Sequence, residues 1–291
     1  MPLTPEVWLD EFNVNTVTSG VQLDPDIIQL ANGNILVSWT SSANTGAGAP
    51  AGLDIIGQLY NSRGEPIGSE LILNQTAQVD NESAARITAL PGGGFSMVYI
   101  DDDGSGVDLE VANFDAAGVQ QSRRAVVFGD NSLPEYRDPV IAAINDTQTL
   151  IAYVEDNASG DDRILVHVYD PSTNTLGIVI EAFNGADFND GNITNLQIDV
   201  LDTGNYIVGG TIEGTGNSVF RVVSPISAIL DGGRFGGGQT VDMSLAALSG
   251  GTFALVAHRA LLNGDNFLEA TVFGTSGGLS VVGAALINPT G

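Results

Sequence analysis

Short apolar runs, separated by turns rich in glycine, asparagine and aspartate, recur along the 291-residue chain. In residues 27–39, two apolar segments flank such a turn. The same arrangement returns at residues 87–99, 141–153, 198–210 and 245–257. Short, β-branched apolar segments bounded by turn residues predict β-strands joined as hairpins. Five aligned copies of one pattern predict a repeat architecture.

Each repeat continues with two further predicted strands. The third covers residues 55–60 in the first unit and 109–114 in the second, and a turn containing Gly64 or Gly118 follows it. The fourth covers residues 71–74, 125–128 and 178–182 in the first three units, and the pattern is degenerate around residues 235–238 in the fourth. Glycine suits these turns because they need a positive φ, which it adopts without strain.

Four hairpin-linked strands per repeat predict an all-β, five-bladed β-propeller of four-stranded antiparallel blades, forming one domain over residues 1–291. The predicted units are residues 17–75, 76–130, 131–185, 186–238 and 239–291. A solenoid is the alternative, although its repeats are usually shorter and its ends need polar caps.

Two segments bear on how the ring closes. Residues 11–16 resemble the fourth strand at residues 70–75 but precede the first unit. We expect residues 1–16 to supply a closing strand that pairs with the last blade and removes its open edge. Residues 279–288 also match a fourth strand. Either the last blade carries five strands, or this segment begins a further structure.

Charge and composition exclude several classes of partner. Nine basic residues, all of them arginine, oppose 35 acidic residues and give a net charge of −26. Such a chain repels nucleic acid and anionic membranes at long range, and attracts cations. Neutral sugars and proteins remain as ligands. No apolar stretch is long enough for membrane insertion, and the absence of cysteine excludes disulfides and thiolate metal sites.

The repeat also resembles a known family. Residues 25–39, 55–61 and 70–74, with the opening residues 7–16, are similar to a tandem repeat of large secreted proteobacterial proteins that often carry RTX-type calcium-binding segments. The resemblance implies export without a cleaved N-terminal signal peptide, an extracellular or cell-surface location, calcium and a role in adhesion. This chain lacks the Gly-Gly-x-Gly-x-Asp array of such segments. An N-terminal module of a longer protein, a free-standing relative and a virion or gene-transfer-particle component are all compatible with it.

Two aligned loops are candidate calcium sites. Both fit the pattern acid-x-Asp/Asn-x-Ser-Gly, and hard oxygen ligands at alternate positions with a glycine for the turn suit calcium. The candidate ligands are Asp101, Asp103, Ser105 and Asp108 in the second unit, and Glu155, Asn157, Ser159 and Asp162 in the third. The alternative is a solvated hairpin turn.

A second candidate site lies where each unit enters its first strand. The aligned column is Asp24, Ala84, Asp138, Asn195 and Asp242. In a propeller this position lies near one mouth of the central channel. Three carboxylates there could bind a cation or serve glycoside cleavage, which needs two carboxyl groups at a defined separation. An aspartate repeated by module is also explained as a turn cap that accepts backbone hydrogen bonds.

Three aromatic residues share another column: Trp39, Tyr99 and Tyr153. We expect them to pack between blades rather than stack sugars. The doublet Arg123-Arg124 is predicted to be a solvated strand edge.

Together these features favour a non-enzymatic binding or structural module on an extracellular or particle surface, stabilised by calcium and engaged in adhesion or in carbohydrate or protein binding, as part of a larger assembly. The first alternative is a glycoside hydrolase whose site contains Asp24, Asp138 and Asp242. The second is a virion or gene-transfer-particle component.

Overall fold

The computed structural model describes residues 11–43, 52–74, 81–129, 135–156, 162–184, 192–213, 217–224, 228–235, 239–260, 266–275 and 279–286. These residues form β-strands and turns and contain no helix. No helix capable of crossing a bilayer is therefore present in the described part of the chain.

The strands form five antiparallel sheets, here called blades 1 to 5, each built from one continuous stretch of chain. Blade 1 contains β1 (Gln22–Gln29), β2 (Ile35–Ser41), β3 (Asp54–Tyr60) and β4 (Pro66–Ile72). Blade 2 contains β5 (Asn81–Ala89), β6 (Phe95–Asp102), β7 (Val107–Phe114) and β8 (Gln120–Val127). Blade 3 contains β9 (Glu135–Asn145), β10 (Gln148–Asp156), β11 (Arg163–Asp170), β12 (Thr175–Leu176) and β13 (Ile180–Phe183).

The last two blades follow the same order. Blade 4 contains β14 (Ile193–Val200), β15 (Tyr206–Ile212), β16 (Asn217–Val223) and β17 (Ile229–Phe235). Blade 5 contains β18 (Gln239–Leu248), β19 (Thr252–Ala260), β20 (Asn266–Gly274) and β21 (Ser280–Leu286). The predicted all-β, five-bladed propeller of four-stranded blades is confirmed. In blade 3 the fourth strand is divided, because β12 and β13 both pair with β11.

Each pair of successive blades shares an apolar core. Blades 1 and 2 meet around Leu36 and Tyr99, and blades 2 and 3 meet around Val98 and Tyr153. Two further clusters join blade 3 to blade 4 and blade 4 to blade 5. Alternate residues of one strand thus face opposite neighbours, as the period of a strand requires. Packing between blades by Tyr99 and Tyr153 is confirmed, since both are almost fully buried in these clusters.

Carboxylates on the innermost strands also link neighbouring blades. The Oδ2 atom of Asp26 in β1 accepts a hydrogen bond of 2.9 Å from the backbone N–H of Ile87 in β5. Asp199 in β14 makes the same kind of bond, at 2.7 Å, with the N–H of Ala247 in β18. These bonds satisfy backbone donors on the free edges of the innermost strands, which the antiparallel ladder leaves unpaired.

The N-terminal segment differs from the prediction. Among the described residues, 11–16 form no strand. They lie across blade 1, where the hydroxyl of Tyr60 donates to the carbonyl of Val14 at 3.0 Å and the N–H of Thr16 donates to Glu70 at 2.5 Å. The prediction of a closing strand is therefore wrong for residues 11–16, and its residues 1–10 lie outside the described part of the chain. Blade 5 instead takes its fourth strand from β21, within the predicted segment 279–288.

Candidate functional site

The aligned column found in the sequence corresponds to one backbone feature. In blades 1 to 4, the pairing of the innermost strand with the second strand slips at this position, which marks a β-bulge. In blade 5 the slip falls between Thr240 and Asp242, directly before the column position. Four of the residues have a left-handed φ: 49° at Asp24, 51° at Ala84, 52° at Asp138 and 52° at Asn195. The sequence repeat therefore marks a strained bulge at the start of the innermost strands of blades 1 to 4.

The bulge itself does not require an acidic side chain, because Ala84 adopts the same φ as its counterparts. The backbone conformation therefore does not explain why aspartate occupies positions 24, 138 and 242. The reason must lie in what these side chains contact or bind. Left-handed non-glycine residues cost of order 1–3 kcal/mol and cluster at functional sites. The side chains of Asp24, Asp138 and Asp242 are all exposed to solvent.

All five positions lie at the same end of the innermost strands, the end that faces one mouth of a propeller's channel. Blades 4 and 5 show the proximity directly. The side-chain amide of Asn195 contacts Oδ1 of Asp242 and donates to the carbonyl of Met243 at 2.5 Å. Asp242 also accepts the N–H of Met243 at 2.8 Å, so at this one position it acts as the expected turn cap.

Arg137 organises the mouth between blades 3 and 4. Its guanidinium donates to Oδ2 of Asp138 at 2.7 Å, to the carbonyl of Ile193 in blade 4 at 2.5 Å, and to Oδ2 of Asp162 at 2.5 Å. Its Nε also lies 3.6 Å from Oδ2 of Asp156. Because these contacts come from two blades, the arginine is fixed and orients the carboxylate of Asp138.

Asp162 contacts Arg137 from the buried side of the mouth. Its side chain is completely buried, and its Oδ2 also accepts the N–H of Ile193 at 2.8 Å. Within the described part of the chain, Oδ1 has no hydrogen-bond partner. Burial raises the pKa of Asp162, against the opposing effects of the Ile193 N–H and Arg137. The residue therefore serves to hold Arg137 and blade 4 rather than to meet a ligand from solvent.

Arg137 also breaks the symmetry of the repeat. The residues that precede the column position in the five blades are Leu23, Ser83, Arg137, Thr194 and Val241. Only blade 3 places a charge there, in a chain with nine basic residues. A residue that departs from the repeat is not explained by the repeat's own packing, which makes this part of the mouth the strongest candidate for chemistry.

The calcium candidates of the second unit form a hairpin turn. Asp101 lies opposite Asp108 in the β6–β7 ladder. Asp103 accepts the N–H of Ser105 at 2.7 Å and its hydroxyl at 2.6 Å, and these bonds lower the pKa of Asp103. Asp108 accepts the N–H of Gly129 at 2.8 Å. The Oδ1 atoms of Asp103 and Asp108 thus bond to the protein's own donors.

The third-unit candidates are separated. Glu155 is ion-paired with Arg163, and Asp162 is ion-paired with Arg137. Asn157 and Ser159 lie outside the described residues. No group of three histidine, aspartate or glutamate side chains suited to a metal ion occurs in the described ranges. Calcium binding by either loop stays a prediction.

The sequence did not indicate one buried ionic network, which lies in blade 2. Arg123 forms a 2.5 Å ion pair with Glu110, and the hydroxyl of Tyr99 donates to the same carboxylate at 2.6 Å. Burial, followed by the charge of Glu110, raises the pKa of Tyr99. The prediction of a solvated edge for Arg123 is wrong, because its charge neutralises a buried glutamate on the neighbouring strand.

Comparisons with known proteins extend the description of the fold. No family model and no curated protein matches the chain. Among solved structures, the Hadza microbial sialidase Hz136 matches with a TM-score of 0.60 and 11% identity over 92% of this chain. The chain spans 59% of that protein. At this identity the likeness establishes the fold.

Two enzymes of similar length also match. The Penicillium chrysogenum α-L-arabinanase complexed with arabinobiose gives a TM-score of 0.53 at 14% identity, covering 92% of this chain and 93% of its own. The Fusarium graminearum α-L-arabinofuranosidase complexed with an iminosugar inhibitor gives 0.56 at 12%, with the same coverage. The prediction of a non-enzymatic module is corrected by these matches, which favour its glycoside hydrolase alternative.

Proposed function

We propose that this protein cleaves glycosidic bonds at the channel mouth, with Asp24, Asp138 and Asp242 as the candidate catalytic carboxyl groups. The observation that carries the proposal is that these three exposed aspartates occupy the same repeat position at one end of the innermost strands, Asp24 and Asp138 on left-handed bulges and Asp242 directly after the bulge of β18. The propeller enzymes that act on arabinose-containing substrates support it by their similar fold and length.

Two of these carboxyl groups would share the chemistry. One protonates the oxygen of the leaving group, while the other either activates a water molecule or attacks the sugar directly. The first route needs carboxyl groups about 6.5–9.5 Å apart and the second about 5–5.5 Å. Asp138 is the one of the three that the described contacts pair with an arginine, since Arg137 donates to its Oδ2. It is therefore suited to the base or nucleophile role.

The charge of the chain favours one class of substrate. The transition state of glycoside cleavage resembles an oxocarbenium ion, and a mouth surrounded by carboxylates stabilises that positive charge. A net charge of −26 repels anionic sugars such as sialosides at long range. We infer that the substrate is a neutral glycoside, of the kind that arabinanases and arabinofuranosidases take.

The test is turnover of neutral and anionic substrates by the wild-type protein and three variants. Arabinan, aryl arabinofuranosides, other neutral aryl glycosides and an aryl sialoside form the panel. We expect a neutral substrate to be hydrolysed, and at least two of Asp24→Asn, Asp138→Asn and Asp242→Asn to lose about 10²–10⁴-fold in kcat. Asp170→Asn, at the end of β11 in blade 3, is the matched control and should keep full activity.

Two results would contradict the proposal. One is a folded wild-type protein that hydrolyses none of the neutral substrates. The other is hydrolysis that persists at the wild-type rate in all three variants, which would move the chemistry away from the mouth.

A further inference from the structure

A second cavity lies on blade 1, at the opposite end of the sheet from the bulge at Asp24. It has a volume of about 510 Å³, and it is formed between the N-terminal segment and the turn that joins β3 to β4. This size falls within the range of small-molecule sites, about 300–1,000 Å³. The lining residues that matter for binding are Glu11, Phe12, Asn13, Gln58, Tyr60 and Glu65.

The walls of this blade 1 cleft are held in place by specific contacts. The hydroxyl of Tyr60 donates to the carbonyl of Val14, and Glu70 accepts both the N–H and the hydroxyl of Thr16, the latter at 2.8 Å. On the other wall, Glu65 accepts the side-chain amide of Asn61 at 2.6 Å. The segment over residues 12–16 is thus fastened at two points, and the space below it is a built feature of blade 1.

Two aromatic rings give the cleft an apolar surface. The rings of Phe12 and Tyr60 lie 5.6 Å apart at an angle of 53°. Tyr60 is 5% exposed, whereas Phe12 is 51% exposed. A phenylalanine fixed beside another ring yet half open to solvent offers one face to a ligand. Such a face attracts a cation placed within about 6 Å of the ring centre.

The charged side chains that line the cleft have one sign, and Arg63 in the neighbouring turn is not among the lining residues. Its lining carries the carboxylates of Glu11 and Glu65 and includes no arginine. The whole chain, at −26, adds a negative field that concentrates cations near the surface. Aromatic faces combined with carboxylates recognise ammonium and guanidinium groups, because the ring quadrupole and the charge pair act in the same direction.

From these features we infer that the blade 1 cleft binds an organic cation, a guanidinium or ammonium group on a small apolar body, separately from the channel mouth. The cation lies over the exposed face of Phe12 and pairs with Glu65 at the rim. A neutral sugar also stacks on aromatic faces and donates hydroxyls to carboxylates, but it carries no positive charge to pair with Glu11 and Glu65. The inference does not depend on glycoside cleavage.

The test compares L-argininamide with L-citrullinamide, both acetylated at the α-amino group, so that the two probes have nearly the same shape and only argininamide carries a positive charge. Titration calorimetry of the full chain should detect binding of argininamide only. Affinity should fall between about 0.1 and 1 M salt, where the Debye length shrinks from about 10 to about 3 Å. Phe12→Ala combined with Glu65→Gln should weaken binding about tenfold or more, as expected from losing a cation–π contact and a charge-assisted bond.

Matched variants separate the cleft from general surface effects. Phe128→Ala removes another exposed phenylalanine, which is 77% exposed on blade 2, and Glu135→Gln removes an exposed carboxylate on blade 3. Both should bind argininamide as the wild type does, with all variants keeping the wild-type thermal midpoint. The inference is overturned if argininamide does not bind, if citrullinamide binds equally well, or if the cleft variant binds as tightly as the wild type.

Discussion

Blades 4 and 5 have the same strand order, yet their second strands are packed differently. Every residue of β15 (Tyr206–Ile212) is buried, because blades 3 and 5 cover its two faces. In β19 (Thr252–Ala260), buried and half-buried residues alternate. Phe253, Leu255 and Ala257 face blade 4 and are buried, whereas Ala254 and Val256 point the other way and are half-exposed.

The difference in burial between β15 and β19 is explained by what covers the first blade. On its side away from blade 2, Phe12 and Val14 of the N-terminal segment lie against Tyr60 and beside Trp39. The innermost strands pack in four successive pairs from β1 to β18, and the described residues show no packing of similar extent between β18 and β1. A blade is thus stabilised mainly by its neighbours, and the repeat sequence alone does not fix how much each blade contributes.

The largest effect should come from the buried ionic network of the interior blades. Glu110→Ala leaves Arg123 and the hydroxyl of Tyr99 without their shared carboxylate in a buried site. We expect the free energy of unfolding to fall by about 3–5 kcal/mol. Urea denaturation measures it.

Glu181→Ala in blade 3 is the control, because its 3.3 Å pair with Arg163 is exposed and worth at most about 1 kcal/mol. Equal losses in the two variants would show that burial does not set the value of these ion pairs.

Two valines at the same repeat position test the difference in burial between an interior blade and blade 5. Val98 in blade 2 and Val256 in blade 5 occupy the same position of the repeat and face the following blade. Val98 is fully buried, and Val256 is half-exposed. Val98→Ala should lower the free energy of unfolding by about 2 kcal/mol through lost burial and a cavity, and Val256→Ala by less than about 1 kcal/mol.

Similar losses for both valines would mean that the far face of blade 5 is covered in solution. Denaturant curves with unchanged slopes are required, so that the midpoints report stability.

The smallest expected effect is that of calcium. It tests whether packing alone stabilises the interior blades. If the β6–β7 loop binds calcium, a calcium concentration ten times the dissociation constant should raise the free energy of unfolding by about 1.4 kcal/mol. Calorimetry with millimolar calcium and with chelator measures the shift, and Asp103→Ala should abolish it. Identical thermal midpoints in calcium and in chelator would show that calcium does not stabilise the protein.

Repetition made much of the fold predictable. The apolar and turn pattern at residues 27–39 gave β1 and β2, and the same pattern located the corresponding hairpin in each later unit. The pattern also aligned Asp24 with Asp138 and Asn195, which the structure shows to share a left-handed bulge. Local periodicity carries this information because strand and turn preferences act over a few residues.

Other features depend on contacts that the local sequence does not carry. Residues 11–16 match a fourth strand in pattern, but the contacts with Tyr60 and Glu70 place them on blade 1. The ion pairs of Arg123 and Arg137 join residues on different strands. A sign that sequence comparison could have used was Arg137, the one charged residue in its column of the repeat.

Chemical labelling tests the central claim most directly. An epoxide derivative of a neutral arabinofuranoside, which alkylates carboxylates at a site that binds the sugar, is followed by peptide mapping. The account predicts a label on Asp24, Asp138 or Asp242. An excess of the same sugar without the epoxide should suppress this labelling. A label confined to carboxylates away from the mouth, such as Asp103 or Glu65, or turnover that continues after the mouth is labelled, would contradict it.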